Sequence, residues 1–337
     1  MRRYFAALAG ALLLMGSLGG CGNGRQERVD QSHFAMDTYI NISVYRAEDK
    51  AAAAACFDLM DRWDQMLSVT SETGEIAVLN RDGHARLSHD TIALVEKALE
   101  CADLTNGAFD PTLLPLKNLW RIGERSADEP LPSREEIAAA QGATGYGKVA
   151  LSGDAITLSP GMGLDLGAIA KGYVADLCAQ YLLDHGVSMG IINMGGNVRL
   201  LGGKDYNVGV RDPRGSENQL LLTINTRDCS IVTSGDYERY FEKDGVRYHH
   251  IFDPKRGYPA DTDLMAVTVI GSDGALCDAL STAFFVIGLD GSVTLMEHKG
   301  LDVDVIFVTT DQRVLVTPGI RDRITMVNNT YTLETLP

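Results

Sequence analysis

The order of helix-like and strand-like segments constrains the fold of this chain most strongly. Apolar residues three and four positions apart predict helices at 47–67, 89–105, 131–141, 168–185, 275–287 and 290–299. Between the fourth and fifth of these, residues 188–270 are mostly short strand-like runs separated by turns such as Lys243-Asp244-Gly245. Because helices and strands are partly segregated rather than strictly alternating, we expect an α+β fold with mixed or antiparallel sheets and flanking helices.

Length and charge narrow the class of protein. The 337 residues, 45% of them hydrophobic, suffice for one large domain or two coupled lobes. No linker is evident after residue 31, so we expect a single catalytic domain over residues 32–337, with its division into two lobes left open. A formal net charge of −15 argues against a nucleic-acid-binding surface. An anionic ligand would therefore need local positive charge from a metal, a lysine or a helix N-terminus.

The N-terminal segment predicts export and membrane attachment. A basic start (MRR) and a short apolar run precede Leu18-Gly19-Gly20-Cys21, which resembles the bacterial lipobox. We expect a signal peptide over residues 1–20 and a lipid-anchored tether over 21–31, which would attach the protein to the bacterial cell membrane outside the cytoplasm. An ordinary secretory peptide is the alternative. The other five cysteines are odd in number and widely spaced, which favours buried thiols over a disulfide framework.

A carboxylate and a hydroxyl share one helix face near the C-terminal end. Asp278 and Thr282 in CDALST are four residues apart, so their side chains project from the same side of the predicted helix. Carboxylate, hydroxyl and water oxygens suit Mg²⁺, which takes further ligands from phosphates. The run HHIFDPKRGYP at 249–259 adds two imidazoles beside a turn, although a single histidine is more often structural than catalytic.

Three further segments have both functional and structural interpretations. Asp165 precedes a helix that opens at Gly167-Ala168, where free N–H groups can receive an anion, and Lys171 lies one turn in. The alternative is an N-cap with a solvated lysine. In GAFDPT, Asp110 before a proline is by itself a simple turn. The glycine-rich NMGGN lacks the lysine of a phosphate loop.

Taken in order, the motifs resemble one family. MDT at 36–38, GAFDPT, DLGAIAKGY, NMGGN, VGVRDP, TSGDYERY, HHIFDPKRGYP and CDALSTA follow the pattern of the ApbE family, the FAD:protein FMN transferases, which are commonly lipoproteins. The resemblance runs from about residue 34 to the C-terminus. It implies Mg²⁺-dependent cleavage of FAD, release of AMP and attachment of FMN through a phosphoester to a Ser/Thr hydroxyl of a partner flavoprotein.

The resemblance also implies roles for individual residues. The implied metal ligands are the backbone carbonyl of Ala168, with Asp278 and Thr282. Thr70 occupies a position where many relatives have a tyrosine against the flavin ring, and Ser281 one where some relatives have an acidic residue. The implied FAD contacts are Met36, Ala108, Phe109, Asp110, Asp165, Lys171 and His250.

The catalytic base and the outcome of the reaction remain open at this point. His250 is a candidate base or phosphate donor, and Asp165 is another candidate base. The leading interpretation is a transferase. The alternatives are a Mg²⁺-dependent FAD pyrophosphatase that gives FMN and AMP, and a non-catalytic flavin-binding lipoprotein.

Overall fold

A computed structural model describes residues 28–126, 128–216 and 218–337. The predicted signal peptide and Cys21 lie outside these residues. Three short 3₁₀ segments accompany the α-helices, at Ala47–Asp49, Tyr146–Lys148 and Pro318–Arg323. The α-helices of the described residues are α1 (Lys50–Leu67), α2 (Glu75–Asp82), α3 (His89–Leu104), α4 (Leu114–Trp120), α5 (Arg134–Gly142), α6 (Ala170–Asp184) and α7 (Gly274–Lys299).

The strands are short and most of them lie in the second half of the chain. They are β1 (Val29–Ala35), β2 (Thr38–Val44), β3 (His84–Arg86), β4 (Ala150–Ser152), β5 (Ala155–Thr157), β6 (Gly190–Met194), β7 (Asn197–Leu201), β8 (Tyr206–Arg211), β9 (Leu220–Thr226), β10 (Ser230–Gly235), β11 (Tyr240–Lys243), β12 (Val246–His249), β13 (Phe252–Asp253), β14 (Tyr258–Pro259), β15 (Leu264–Gly271), β16 (Asp304–Thr309), β17 (Arg313–Val316), β18 (Ile324–Met326) and β19 (Thr332–Thr335).

One large sheet organises the molecule. Its strand order is β1-β2-β6-β7-β10-β15-β16-β17-β19, and every neighbouring pair is antiparallel except β17 and β19. Side chains alternate between its faces, so Ile192 packs toward α1 and α6 whereas the adjacent Ile191 packs toward the small sheet β18-β9-β8. Helix α7 covers the same face as α6, against β10 and β15. The predicted α+β class is therefore confirmed.

Most of the predicted helices are confirmed, with boundaries shifted by a few residues. Ser133 and Glu136 form the expected capping box at the start of α5. The two predicted C-terminal helices are both present within α7, where non-helical backbone at Gly288 (φ 73°, ψ −178°) separates them. Its length and composition would permit a membrane span, but half of its most apolar stretch is buried inside the fold.

Two local features bear on the sequence expectations. Strand β1 begins at Val29, so the last three residues of the predicted tether (29–31) pair with β2 at the edge of the large sheet. The five cysteines of the described residues are buried free thiols, as predicted. Two of them, Cys56 in α1 and Cys178 in α6, donate to each other's backbone carbonyls at 3.7 and 3.8 Å. These thiols thus pack α1 against α6.

Helices α6 and α7 approach so closely that their backbones touch. A Cβ atom added at Gly172 would lie 2.0 Å from the carbonyl oxygen of Gly274, far inside van der Waals contact. At the same crossing, the Gly274 N–H donates to Asp176 at 2.6 Å. This contact of two glycines brings the first turn of α6 beside the second turn of α7, where the candidate site lies.

Candidate active site

The first part of the site is the carboxylate of Asp278 on α7. The side chain is buried, and its Oδ2 accepts the N–H of Gly172 at 3.0 Å. Gly172 is the third residue of α6, where backbone N–H groups have no partner inside the helix and the helix end carries partial positive charge. The carboxylate is therefore fixed and electrostatically stabilised by the N-terminus of the neighbouring helix.

A chain of hydroxyl groups borders Asp278. Ser281 donates to the Asp278 carbonyl at 2.8 Å, and its Oγ lies 2.8 Å from Ser234 Oγ on β10. Ser234 Oγ is in turn 3.4 Å from Thr282 Oγ1. The predicted Asp278–Thr282 face thus exists, and Ser234 joins it from the large sheet. Ser281 is fully buried and hydrogen-bonded within the protein.

The segment that leads into α6 supplies the opposite side of the site. Asp165 Oδ1 accepts the Gly167 N–H at 2.8 Å, and its other oxygen pairs with the Lys117 ammonium of α4. Burial disfavours the charged form of Asp165, but the ion pair with Lys117 and the Gly167 bond outweigh it and lower the pKa of this carboxyl. Asp165 is therefore an ionised residue that orders the turn before α6.

Lys171 and the Ala168 carbonyl remain available for a ligand. Lys171 Nζ donates to the Gly167 carbonyl at 3.1 Å and has no carboxylate partner among the described residues. Ala168 precedes the N-cap residue Ile169, so its carbonyl lies outside the helical ladder, and no donor in the described part of the chain pairs with it. A cation and a free carbonyl oxygen therefore lie within one turn of each other.

His250 presents a neutral imidazole. Its Nδ1 lies 3.3 Å from the carbonyl oxygen of Arg239, which can only accept, so Nδ1 carries the proton and Nε2 is left as an acceptor. Burial lowers the pKa of His250 to about 3, and the charges of Arg239 and Lys171 act in the same direction. His250 is consequently uncharged at neutral pH.

Two hairpin turns form the rim beside these groups. Met36 and Asp37 connect β1 to β2 with positive φ values of 52° and 57°, a conformation that is uncommon for methionine. Gly195 and Gly196 connect β6 to β7, and a Cβ at Gly195 would lie 1.9 Å from Thr38 Oγ1. The glycine is therefore required for the two turns to pack together, which fixes Met36 at this edge of the sheet.

The other predicted FAD contacts have mainly structural surroundings. Ala108 and Phe109 are buried in the core. The Asp110 carboxylate accepts bonds from the Thr112 N–H and hydroxyl (2.8 and 2.6 Å) and from the Tyr146 N–H (3.2 Å), and burial raises its pKa. Thr70 is exposed in the loop between α1 and α2, where it bonds only to Ser68.

Sequence reasoning missed two charged residues of the site, Glu238 and Arg211. A Cβ at Gly196 would lie 3.5 Å from Glu238 Oε1, so this carboxylate borders the β6–β7 turn. The surrounding protein raises the pKa of the Glu238 carboxyl, and the negative charge of Asp278 raises it further. The positive charges of Lys171, Arg239 and Arg211 act in the opposite direction. Both residues lie in quoted motifs, TSGDYERY and VGVRDP, but the local sequence gave no reason to select them.

The donors suit a hard cation. Asp278, Thr282 and the Ala168 carbonyl offer oxygen atoms of the kind Mg²⁺ prefers, and a single carboxylate leaves room for water and phosphate ligands. In residues 28–126, 128–216 and 218–337, no group of three or more His, Cys, Asp or Glu side chains is arranged to hold a metal. The residues present therefore fit a magnesium ion bound partly through its substrate rather than a zinc-type site.

A buried carboxylate, a lysine and a neutral imidazole lie around one helix N-terminus, an arrangement that suits phosphate-bearing ligands. The ApbE family model matches residues 36–307. FAD:protein FMN transferases of Treponema pallidum and Klebsiella pneumoniae are 35% and 34% identical, over 94% and 88% of this chain and 94% of each relative. The chain belongs to the ApbE family and is an enzyme.

Solved structures agree with this assignment. The ApbE protein of Thermotoga maritima superposes with a TM-score of 0.78 at 35% identity, over 84% of this chain and 94% of that one. The flavin transferase ApbE of Vibrio cholerae gives a TM-score of 0.75 at 28% identity, over the same fractions of the two chains. The resemblance seen in the sequence motifs is thereby confirmed.

Proposed function

We propose that the protein transfers FMN from FAD to a Ser or Thr hydroxyl of a partner flavoprotein, with Mg²⁺ as cofactor and AMP as the second product. The observation that carries this proposal is the fixed Asp278 carboxylate at the N-terminus of α6, with Lys171 in the same turn. The activity printed in the names of the relatives supports the same reaction. Ala168, Asp278 and Thr282 would hold the metal, which when bound would neutralise charge on the FAD pyrophosphate.

The reaction exchanges the phosphoanhydride linkage of FAD for a phosphoester linkage to the acceptor. The acceptor hydroxyl oxygen attacks the phosphorus on the riboflavin side, the bond from that phosphorus to the bridging oxygen breaks, and AMP leaves with that oxygen. Such a transfer needs positioning and charge neutralisation more than covalent chemistry from the protein. Lys171 supplies positive charge, and the free N–H groups at the start of α6 supply donors for phosphate oxygens.

The hydroxyl proton needs an acceptor, and the two candidate bases differ in environment. Asp165 is committed to Lys117 and Gly167, so its role is to order the turn before α6. His250 keeps a free Nε2 lone pair that can accept a hydrogen bond from the incoming hydroxyl. With its pKa near 3, His250 would orient the hydroxyl and pass its proton on to solvent water rather than hold it as a stable imidazolium.

One observation favours hydrolysis as a second activity. Thr70 is exposed and non-aromatic, so it offers no ring against which a flavin could stack. Losing one aromatic contact costs about 1 kcal/mol. A flavin held less firmly would allow water to compete with the acceptor hydroxyl, which would release FMN and AMP.

The test follows AMP and covalent flavin together. The full-length protein in detergent is incubated with FAD and Mg²⁺, with and without an acceptor carrying a flavinylation segment. AMP that appears only with acceptor, in amounts equal to the labelled acceptor, supports the transferase. AMP and FMN without acceptor support the pyrophosphatase. If FAD stays intact in both reactions, the protein only binds flavin, and the proposal is overturned.

We further propose that Cys21 is lipidated and anchors the enzyme to the bacterial cell membrane on its extracytoplasmic side. The sequence Leu18-Gly19-Gly20-Cys21 supports this proposal. Labelling cells with an alkyne fatty acid should tag the wild-type protein and leave Cys21→Ser untagged and released from membranes. A Cys21→Ser protein that still carries the label contradicts the anchor.

A further inference from the structure

Arg211 differs from Arg214, an arginine of the loop that follows it, because no described carboxylate pairs with its charge. It ends strand β8, and its Nε is buried with no hydrogen-bond partner among the described residues. No carboxylate forms an ion pair with it in the part of the chain that the structure describes. By contrast, Arg214 in the same loop makes two bonds to Asp236, at 2.7 and 2.6 Å. A buried guanidinium nitrogen without an acceptor is costly unless a ligand supplies one.

The position of Arg211 is fixed from both sides. Its guanidinium lies 5.1 Å from the centre of the Tyr237 ring, which holds it by a cation–π contact. The next residue, Asp212, is buried and accepts bonds from Asn328 at 2.6 Å and Tyr331 at 3.1 Å. The Arg211 guanidinium and the backbone that follows it therefore have little freedom, as a preorganised binding group requires.

A short chain of neighbouring residues connects Arg211 with the proposed metal site. Tyr237 folds back over Gly235, where a Cβ would lie 2.4 Å from its ring. Gly235 directly follows Ser234, whose hydroxyl is 3.4 Å from that of Thr282. Arg211 and Lys171 are both close enough to Glu238 to act on its charge. In a chain with a net charge of −15, these two cations, which pair with no described carboxylate, thus both act on Glu238 beside the β6–β7 turn.

We propose that Arg211 binds a phosphate group of the dinucleotide substrate, opposite Lys171. This inference rests on the proposed function, because it names a further residue that would hold the pyrophosphate of FAD. A guanidinium presents parallel N–H donors that match two phosphate oxygens, whereas an ammonium offers only a point charge. Arg211 would therefore orient the phosphate, and Lys171 would chiefly neutralise it.

The experiment compares ligands with and without phosphate. Dissociation constants for FAD, FMN, AMP, riboflavin and inorganic pyrophosphate are measured on the full-length protein and on Arg211→Gln, Arg211→Lys and Arg227→Gln. Arg227→Gln is the matched control, since this substitution removes the same charge from an exposed ion pair with Asp205, at the other end of β10. Loss of a charged hydrogen bond should weaken FAD and pyrophosphate binding about ten- to a hundredfold in Arg211→Gln. Riboflavin binding should not change.

The outcomes separate this inference from the proposed function. Weaker binding of AMP alone, or of FMN alone, would support the inference and identify which phosphate Arg211 contacts. Partial recovery in Arg211→Lys would support it as well. Equal weakening of riboflavin and FAD, or pyrophosphate binding that is unchanged or undetectable in both proteins, would overturn it. Failure of the proposed function would instead appear as wild-type protein that forms neither AMP nor labelled acceptor, whatever the result at Arg211.

Discussion

Replacing Gly172 by alanine tests how the fold builds the site. The added Cβ would meet the Gly274 carbonyl oxygen at 2.0 Å and its carbon at 2.5 Å, and both are backbone atoms that cannot rotate away. The two helices must therefore separate. That movement also stretches the bond from the Gly172 N–H to Asp278.

The expected change in the free energy of unfolding combines three effects, two that destabilise the protein and one that stabilises it. Overpacking in a close contact costs about 1–3 kcal/mol, and rigid backbone atoms favour the upper end of this range. Weakening a hydrogen bond to a charged group adds about 1.5 kcal/mol. Alanine has a higher helix propensity than glycine, which stabilises α6 by about 1 kcal/mol. We therefore expect Gly172→Ala to lower the free energy of unfolding by about 3 kcal/mol.

The assay is urea unfolding, with metal-dependent AMP release measured on the folded protein. Gly142→Ala is the matched control, because Gly142 ends α5 with open space around it, and its stability should be unchanged or slightly higher. In Gly172→Ala, the Mg²⁺ concentration for half-maximal rate should rise, since Asp278 is displaced. Wild-type stability and metal dependence in Gly172→Ala would refute the argument that this glycine contact positions the carboxylate.

Three further predictions concern single side chains. Asp278→Asn keeps an acceptor for the Gly172 N–H but loses the charge, so it should fold normally by circular dichroism and lose Mg²⁺-dependent AMP release; full activity would refute the metal assignment. His250 has a folded pKa near 3 against about 6.5 when unfolded, so between these pH values only the unfolded state binds the proton. Stability should thus fall as pH drops from 6.5 toward 3, by up to about 1 kcal/mol per pH unit, and His250→Gln should flatten this slope in urea titrations; an unchanged slope would contradict the buried neutral imidazole. Thr70→Tyr should tighten FAD binding by about 1 kcal/mol and reduce FAD hydrolysis without acceptor; unchanged values for both would remove the argument from this position.

Local sequence rules predicted those parts of the fold that depend on neighbours in the chain. The capping box at Ser133, the helix over α6 and the shared face of Asp278 and Thr282 all follow from spacings of three or four residues. The break at Gly288 also falls between two segments that the pattern separates. Strand β1 was hidden in a polar stretch, because an edge strand with one exposed face needs few apolar residues.

Residues whose roles depend on distant partners could not be predicted from the sequence. The Asp110 turn is recognisable in the sequence, but the second partner of its carboxylate, Tyr146, lies 36 residues further along the chain than Asp110. Arg211 looks like any charged residue at the end of a strand. Only the fold reveals that its Nε is buried without a partner beside Tyr237.

The site also explains how an acidic protein can receive a pyrophosphate. The carboxylate needed for a metal would repel phosphate oxygens if it stood alone. The fold offsets that charge locally, because Asp278 accepts an N–H from the positive end of α6, and Lys171 in the same turn pairs with no described carboxylate. Positive charge next to a bound phosphate is effective even when the net charge is −15, since salt screens exposed charges beyond about 8–10 Å. Binding of FAD should therefore depend on these local groups far more than on the overall charge of the protein.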